Sequence, residues 1–461
     1  MSRAREHGSS ITGPPSWRII VTLAIPVVIS KLSFTAMGLV DTAMVGRLGA
    51  TSQGAVGLAH TWIFTLGVLG LGVLTVVNTF VAQHHGAGQH DDCGRVLGQG
   101  LRVAVLAGGA TMLLLFLSIP LLGKLGLGAG VSELGGIYTA CRLIGFPGVF
   151  GYWVYNGYLE GLGRTRTPMV IALVANAVNI TLDWLLIFGP GPFPELGVAG
   201  AGLATAASNL FMLACFVWVV HRPSADYGVR FGARLVHEPF DPKRIREMIR
   251  VGLPMGMQFF LEVGAFMIFA VMIGWISAAA LAANQVAMRL MSVSFMTSWG
   301  LGVAATTLVG RYLGAGEPGL AILAGRRTLA LGLGVTGLAA LVYVTLATPL
   351  AAVFSTDAEV VRLAATLMPL AAVFQVFDGV HMISYGALRG AGDTRYPMWA
   401  VGIMSWVVGV PLVWWLALPA GLGLYGAWVG TTVMVAGMAA LLGGRFHRAG
   451  WSQRTLLASS K

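Results

Sequence analysis

The chain has 461 residues, of which 56% are hydrophobic and only 10% charged, with a mean hydropathy of +0.79. A soluble fold carries about 25% charged residues, so this composition excludes a string of soluble domains or a water-soluble enzyme. The net charge of +11, from 29 Lys and Arg against 18 Asp and Glu, fits either a nucleic acid or a membrane, and its placement along the chain decides between them.

One helix crossing a bilayer needs ~20 apolar residues. Twelve apolar blocks follow one another, at 18–44, 54–82, 94–119, 134–156, 167–189, 197–221, 245–274, 282–311, 326–348, 360–386, 396–418 and 422–445. The expected fold is an all-α polytopic membrane protein with twelve transmembrane helices. The longest polar stretch, Pro223 to Lys243, reads as a linker. With both termini cytoplasmic and span ends soft by several residues, 23 Lys and Arg fall in cytoplasmic segments or the adjoining span ends and three, Arg47, Lys124 and Arg362, in outer loops. That is the positive-inside asymmetry, so the basicity orients a membrane protein and no nucleic-acid partner is expected. Lys31, Arg142 and Arg289 fall inside spans, and for Lys31 and Arg289 both snorkelling and a transport role stay open.

Glycine, at 64 residues, suits helices packed backbone to backbone in lipid. Cys93, Cys141 and Cys215 are scattered and give neither a disulfide framework nor zinc spacing. His84, His85 and His90 share an expected cytoplasmic loop and read as solvated. No Walker, H-E-x-x-H or G-x-S-x-G pattern occurs, so neither an ATP-driven pump nor an enzyme is expected, and no cofactor beyond a coupling ion.

The segment Leu159-Glu-Gly-Leu-Gly-Arg-Thr-Arg-Thr-Pro-Met169 returns 229 residues later as Leu388-Arg-Gly-Ala-Gly-Asp-Thr-Arg-Tyr-Pro-Met398. Near the same spacing, Gly86-Ala-Gly88 matches Gly314-Ala-Gly316, and Pro26 matches Pro254. Self-similarity over half the chain marks a duplicated unit. Six spans per unit place the copies parallel, as two pseudo-symmetric lobes around a central cleft. The expected division is an N-lobe at 1–225, a cytoplasmic linker at 226–244 and a C-lobe at 245–461. Whatever both halves share is expected to build scaffold, including Pro26 and Pro254 as kinks or hinges in the first span of each half.

A charge in hydrocarbon costs at least ~2.5 kcal/mol on insertion scales, so an intramembrane carboxylate needs a reason. Asp41, Asp183, Glu262 and Asp378 fall in spans, and none has a carboxylate at its repeat-related position. Asn176, Asn179 and Asp183 share one helix face at i, i+3 and i+7, Gln258 and Glu262 are i, i+4, and Gln375, Asp378 and His381 step by three. Such stripes hold a desolvated cation or a proton-loaded acid, and the alternative is polar glue between helices. Desolvation favours the protonated carboxyl, whereas Na+ or an organic cation favours the ionised one. A site that holds one of them at a time exchanges them across the membrane when the lobes rock.

Met37-Gly-Leu-Val-Asp-Thr-Ala-Met-Val-Gly46, Leu261-Glu-Val-Gly264, Ala283-Asn-Gln-Val286, Leu313-Gly-Ala-Gly316 and the paired Gly-x-Gly-x-Thr-Arg-x-Pro turns together resemble the multidrug and toxic compound extrusion (MATE) family. The resemblance spans the chain. It implies a V-shaped pair of six-helix lobes in the bacterial inner membrane, monomeric, exporting cationic amphipathic drugs in exchange for Na+ or H+. It implies that Glu262 and Asp378 correspond to the acidic pair of the NorM-like branch. Asp41, Asn179 and Asp183, with Asn176 beside them, correspond to the N-lobe cluster of the DinF-like branch. Either set is a candidate Na+ position, and Gln258, Gln285, Phe374, Gln375 and His381 are candidate substrate contacts. Phe374 stands where NorM-like members often have Tyr, which removes a hydroxyl. The runner-up is a related flippase for a lipid-linked saccharide.

Overall fold

The computed structural model describes residues 13–123, 128–222, 239–453 and 456, so residues 226–238 of the expected linker lie outside the described residues. Among the described residues there are helices, turns and loops but no strands. Eleven helices among the described residues are long and apolar enough to cross a membrane. The remaining crossing is the fourth span, expected as one helix over 134–156. It is interrupted instead: Ala129–Leu143 stops and Phe146–Gly161 restarts. Pro147 sits in the first turn of the second piece, where its missing N–H costs nothing. Gly145 and Gly148 let this bend press onto the sixth span, because a Cβ at either would come within 2.5 Å of the backbone of Ala206 or Asn209. The eleventh span, Arg395–Ala417, widens into a π-helical stretch at Ile403–Gly409 just before Pro411, which cannot donate the regular i to i−4 bond.

Two hydrophobic cores form, one per half, and they exchange helix ends. Ile20, Leu23 and Ala24, at the start of the first span, pack into the core built mainly by residues beyond 259. Ile245, Met248, Val251 and Met255, at the start of the seventh, pack into the core of the first half. Pro26 and Pro254 lie inside these two helices at the points where each passes from one core to the other.

The seam between lobes repeats about a pseudo-twofold. A Cβ on Gly72 would lie 2.5 Å from Gly256 Cα, and its twin Gly300 faces Val28. Nearer the arginine-rich end, Gly86 packs on the carbonyl of Arg311 and Gly314 on the carbonyl of Gln83, again a reciprocal pair. Gln83 Nε2 also donates to Gly390 O (2.9 Å), Arg311 Nη2 to Leu162 O (2.9 Å) and Thr394 Oγ1 to Val251 O (2.9 Å). Residues 301–310 of the eighth span are buried throughout, whereas its first half and residues 50–66 of the second alternate between exposed and buried. The lobes are therefore sealed at their basic end and splayed at the other, which makes the V.

Candidate functional site

In the N-lobe, the first span carries Asp41 near its end, the fifth carries Asn179 and Asp183 one turn apart, and the sixth carries Thr205. All four side chains are buried. Thr205 Oγ1 donates to Asp41 Oδ2 at 3.0 Å. In the orientation that satisfies both partners, the Asn179 amide nitrogen donates to Asp41 Oδ1 (2.9 Å) and Asp183 Oδ2 (3.3 Å). The two carboxylates lie within hydrogen-bonding reach of one another, and the Tyr138 hydroxyl reaches Thr205. Arg142 lies over the Tyr138 ring at 5.9 Å. Asn176 turns elsewhere: its Nδ2 donates to Ser33 O (2.8 Å) and Ser33 Oγ (3.1 Å), fastening the fifth span to the first.

In the C-lobe the seventh, eighth and tenth spans build a second polar chamber. Glu262 meets Gln258 one turn earlier on the same helix, and Asp378 and His381 are its titratable neighbours across the chamber. His381 Nδ1 stands 3.9 Å from Asp378 Oδ1. Gln375 Nε2 donates weakly to Ser298 Oγ at 3.5 Å. The Asp378 Oδ2, Gln258 Oε1 and Gln375 Oε1 acceptors and both His381 ring nitrogens are buried without a protein partner. Buried polar atoms are almost always paired, so a cluster of this density marks a place for water, an ion or a ligand group.

Among the remaining expected contacts, Phe374 packs edge-on against Trp428 (6.1 Å), whose Nε1 donates to Asn284 Oδ1 (3.1 Å). Gln285, next in sequence, is exposed rather than part of the buried chamber. His84 is not solvated: it is 5% exposed, and its Nδ1 bonds Gln89 Oε1 at 2.8 Å, because the second span runs on to Gly86. No group of three or more metal-ligating side chains occurs among the described residues.

The MatE family model matches the chain twice, over residues 26–185 and 254–415, once in each half of the repeat. The chain belongs to the MatE family. It is a polytopic membrane transporter and not an enzyme. The multidrug resistance protein PmpM of Pseudomonas aeruginosa is 33% identical over 430 residues, covering 92% of this chain and 89% of its own length. A probable multidrug resistance protein NorM of Bradyrhizobium diazoefficiens is 34% identical, covering 92% of each chain. Two solved structures share the fold: the eukaryotic MATE transporter AtDTX14 (TM-score 0.85, 20% identity, 95% of this chain and 96% of that one) and a MOP-superfamily transporter from Pyrococcus furiosus (TM-score 0.87, 22% identity, 97% and 98%).

Sequence reasoning missed a third polar cluster in this MatE chain, on the cleft floor between the lobes. Lys31, Asn78, Trp153, Glu160, Trp299 and Arg389 line a cavity of about 20 Å³ there. Glu160 Oε1 accepts from Asn156 Nδ2 (2.8 Å) and Oε2 from Asn78 Nδ2 (3.3 Å), while Thr307 Oγ1 of the other lobe donates to Asn78 Oδ1 (3.2 Å) and Glu160 O (3.1 Å). Glu160 and Arg389 fall inside the repeated segments Leu159 to Met169 and Leu388 to Met398. The signal was present: they occupy the same position of the repeat, at the 229-residue offset, with opposite charge. Thr205, Tyr138 and Ser33 carried no comparable signal, since hydroxyls are common in helices and only the third dimension aims them at Asp41 or Asn176.

Proposed function

We propose that this MatE-family transporter is a multidrug exporter that exchanges cationic amphipathic compounds for H+ or Na+ in a bacterial plasma membrane, as a monomer with both termini cytoplasmic. Orientation follows from the 23 to 3 division of Lys and Arg. On that orientation the sealed end is cytoplasmic and the V opens outward, the state in which cargo leaves and the coupling ion enters. The names of the multidrug resistance relatives support drug export.

The observation that carries the reading is that the unmatched acids point inward in both lobes rather than toward lipid or into permanent ion pairs with Lys or Arg. The two chambers differ in chemistry. Around Asp41 and Asp183 the neighbours are donors, Thr205 and Asn179. Two carboxylates within hydrogen-bonding reach of one another are both acceptors that a single shared proton would bridge, so this chamber suits H+. Around Asp378 the free groups are the acceptor oxygens of Asp378, Gln258 and Gln375 beside the two ring nitrogens of His381, and such oxygens suit Na+ or a hydrated cation. Pro26 and Pro254 act as the hinges by which the exchanged helix ends follow the rocking lobes.

Ethidium accumulation in cells with and without the protein tests the export reading. Expression lowers accumulation if it is correct, and unchanged accumulation across ethidium, norfloxacin and tetraphenylphosphonium removes its support.

A further inference from the structure

Lys31 sits at the fifteenth position of a 30-residue first span, as far from either end as the helix allows. Its side chain is 8% exposed and lines the floor cavity. Among the described residues the ammonium has no ion-pair or hydrogen-bond partner; it lies over the Trp153 ring at 4.6 Å and the Trp299 ring at 5.8 Å. Trp153 belongs to the N-lobe and Trp299 to the C-lobe, so the cage closes only across the seam. Both indoles are half-buried, and Trp299 continues as an aromatic wall through Phe259 (5.4 Å, stacked) and Phe295 (5.7 Å, edge-on). The charges that face the ammonium are Glu160 and Arg389.

Two indole faces and a carboxylate form the kind of cage that holds an organic cation, and the cation–π attraction strengthens when the site is desolvated. The Glu160 carboxylate is fixed by Asn156 and Asn78, and the Arg389 guanidinium is tied to Thr306 Oγ1 and lies over the Tyr385 ring at 5.3 Å. Lys31 is the one charge of the three held by no hydrogen bond, on a flexible four-carbon stem. Replacing its ammonium by an incoming monocation leaves the net charge of the floor unchanged, with Glu160 and Arg389 still in balance.

We propose that the Trp153–Trp299–Glu160 cage is a binding site for the cationic group of an amphipathic substrate, and that Lys31 occupies it as a tethered surrogate which the substrate displaces. The surrogate keeps the site filled when no substrate is present, and its ejection loosens the cross-lobe cage at the floor of the seam. The proposal rests on the cation-export reading and names the site and its competitor.

Ethidium binding to purified, detergent-solubilised protein, read by fluorescence polarisation, tests it. Lys31→Met empties the cage while keeping the stem, and binds ethidium at least tenfold more tightly than the wild type. Lys31→Arg keeps the competing cation and stays within about twofold. Adding Glu160→Gln to Lys31→Met returns the affinity to the wild-type level or below. If Lys31→Met is not monodisperse, Lys31→Gln makes the same comparison. Equal or weaker ethidium binding by the neutral variants overturns the inference, as does a gain that Glu160→Gln leaves intact. If the wild type binds ethidium and the Lys31 variants match it, the inference fails while the export reading stands; if neither ethidium nor tetraphenylphosphonium binds any variant, the export reading fails with it.

Discussion

Gly72→Ala is the most informative single perturbation of the seam. Its added Cβ would lie 2.5 Å from Gly256 Cα and 3.1 Å from the Phe259 ring, against 3.4 Å for ordinary contact. Backbone cannot rotate away as a side chain does, so the second and seventh spans must separate by about 0.9 Å at this level. Overpacking of this size costs ~1–3 kcal/mol, charged here only to the state in which the basic end is sealed, and moves the conformational equilibrium roughly 5- to 150-fold toward the opposite state. Gly54→Ala is the control: it lies on the same helix with nothing within 4 Å of its Cβ. Spin labels at Asp91 and Glu317, both exposed at the basic ends of the two lobes, in a background lacking Cys93, Cys141 and Cys215, report the separation by double electron–electron resonance. Gly72→Ala shifts the distribution toward longer distances and slows export, while Gly54→Ala changes neither. Identical distributions for the two variants would refute the argument that backbone contact at this level holds the sealed state.

Asp41→Asn places an amide nitrogen or a weaker acceptor opposite Asn179 and Thr205, and removes the carboxylate proposed to carry the proton. Export in vesicles is expected to fall at least tenfold with membrane insertion intact, and wild-type export would remove the N-lobe chamber from the mechanism. Asp378→Asn is expected to weaken dependence on Na+ more than dependence on pH, checked by export rates at fixed pH with Na+ varied. For stability, Gly386→Ala drives a methyl into the Gly302 backbone of the eighth span, whereas Gly444→Ala meets nothing within 4 Å. The first is expected to cost ~1–3 kcal/mol and lower the thermal midpoint by several degrees, and the second to leave it unchanged, read by a thiol-dye melt in detergent.

The hydrophobic blocks, the duplication and the inward acids were legible in the sequence because each follows from a one-dimensional rule: bilayer thickness, repeat spacing, and the cost of charge in hydrocarbon. The break in the fourth span was visible as Gly145-Phe-Pro-Gly148, but a hydropathy window averages across it. The π stretch before Pro411 and the exchange of helix ends between cores were not legible, since both depend on which neighbour each helix meets. Lys31 illustrates the limit at a single residue: composition allowed snorkelling, and only the placement of Trp153 and Trp299 from opposite lobes gives its ammonium a site at mid-span. Glu160, whose repeat-related partner is Arg389, satisfies the same unmatched-acid rule, but it lies at the end of a span beside a turn, where the cost of charge in hydrocarbon gave no reason to single it out.

The central claim is that the buried acids couple ion movement to drug movement. Its most direct test is ethidium transport by the purified protein in liposomes, with a Na+ gradient, a pH gradient, or both imposed in the absence of any other energy source. The account predicts transport against the ethidium gradient driven by at least one of the two ions, abolished when Asp41 and Asp378 are both replaced by Asn. Ethidium movement that ignores both gradients, or that survives the double substitution, would contradict it.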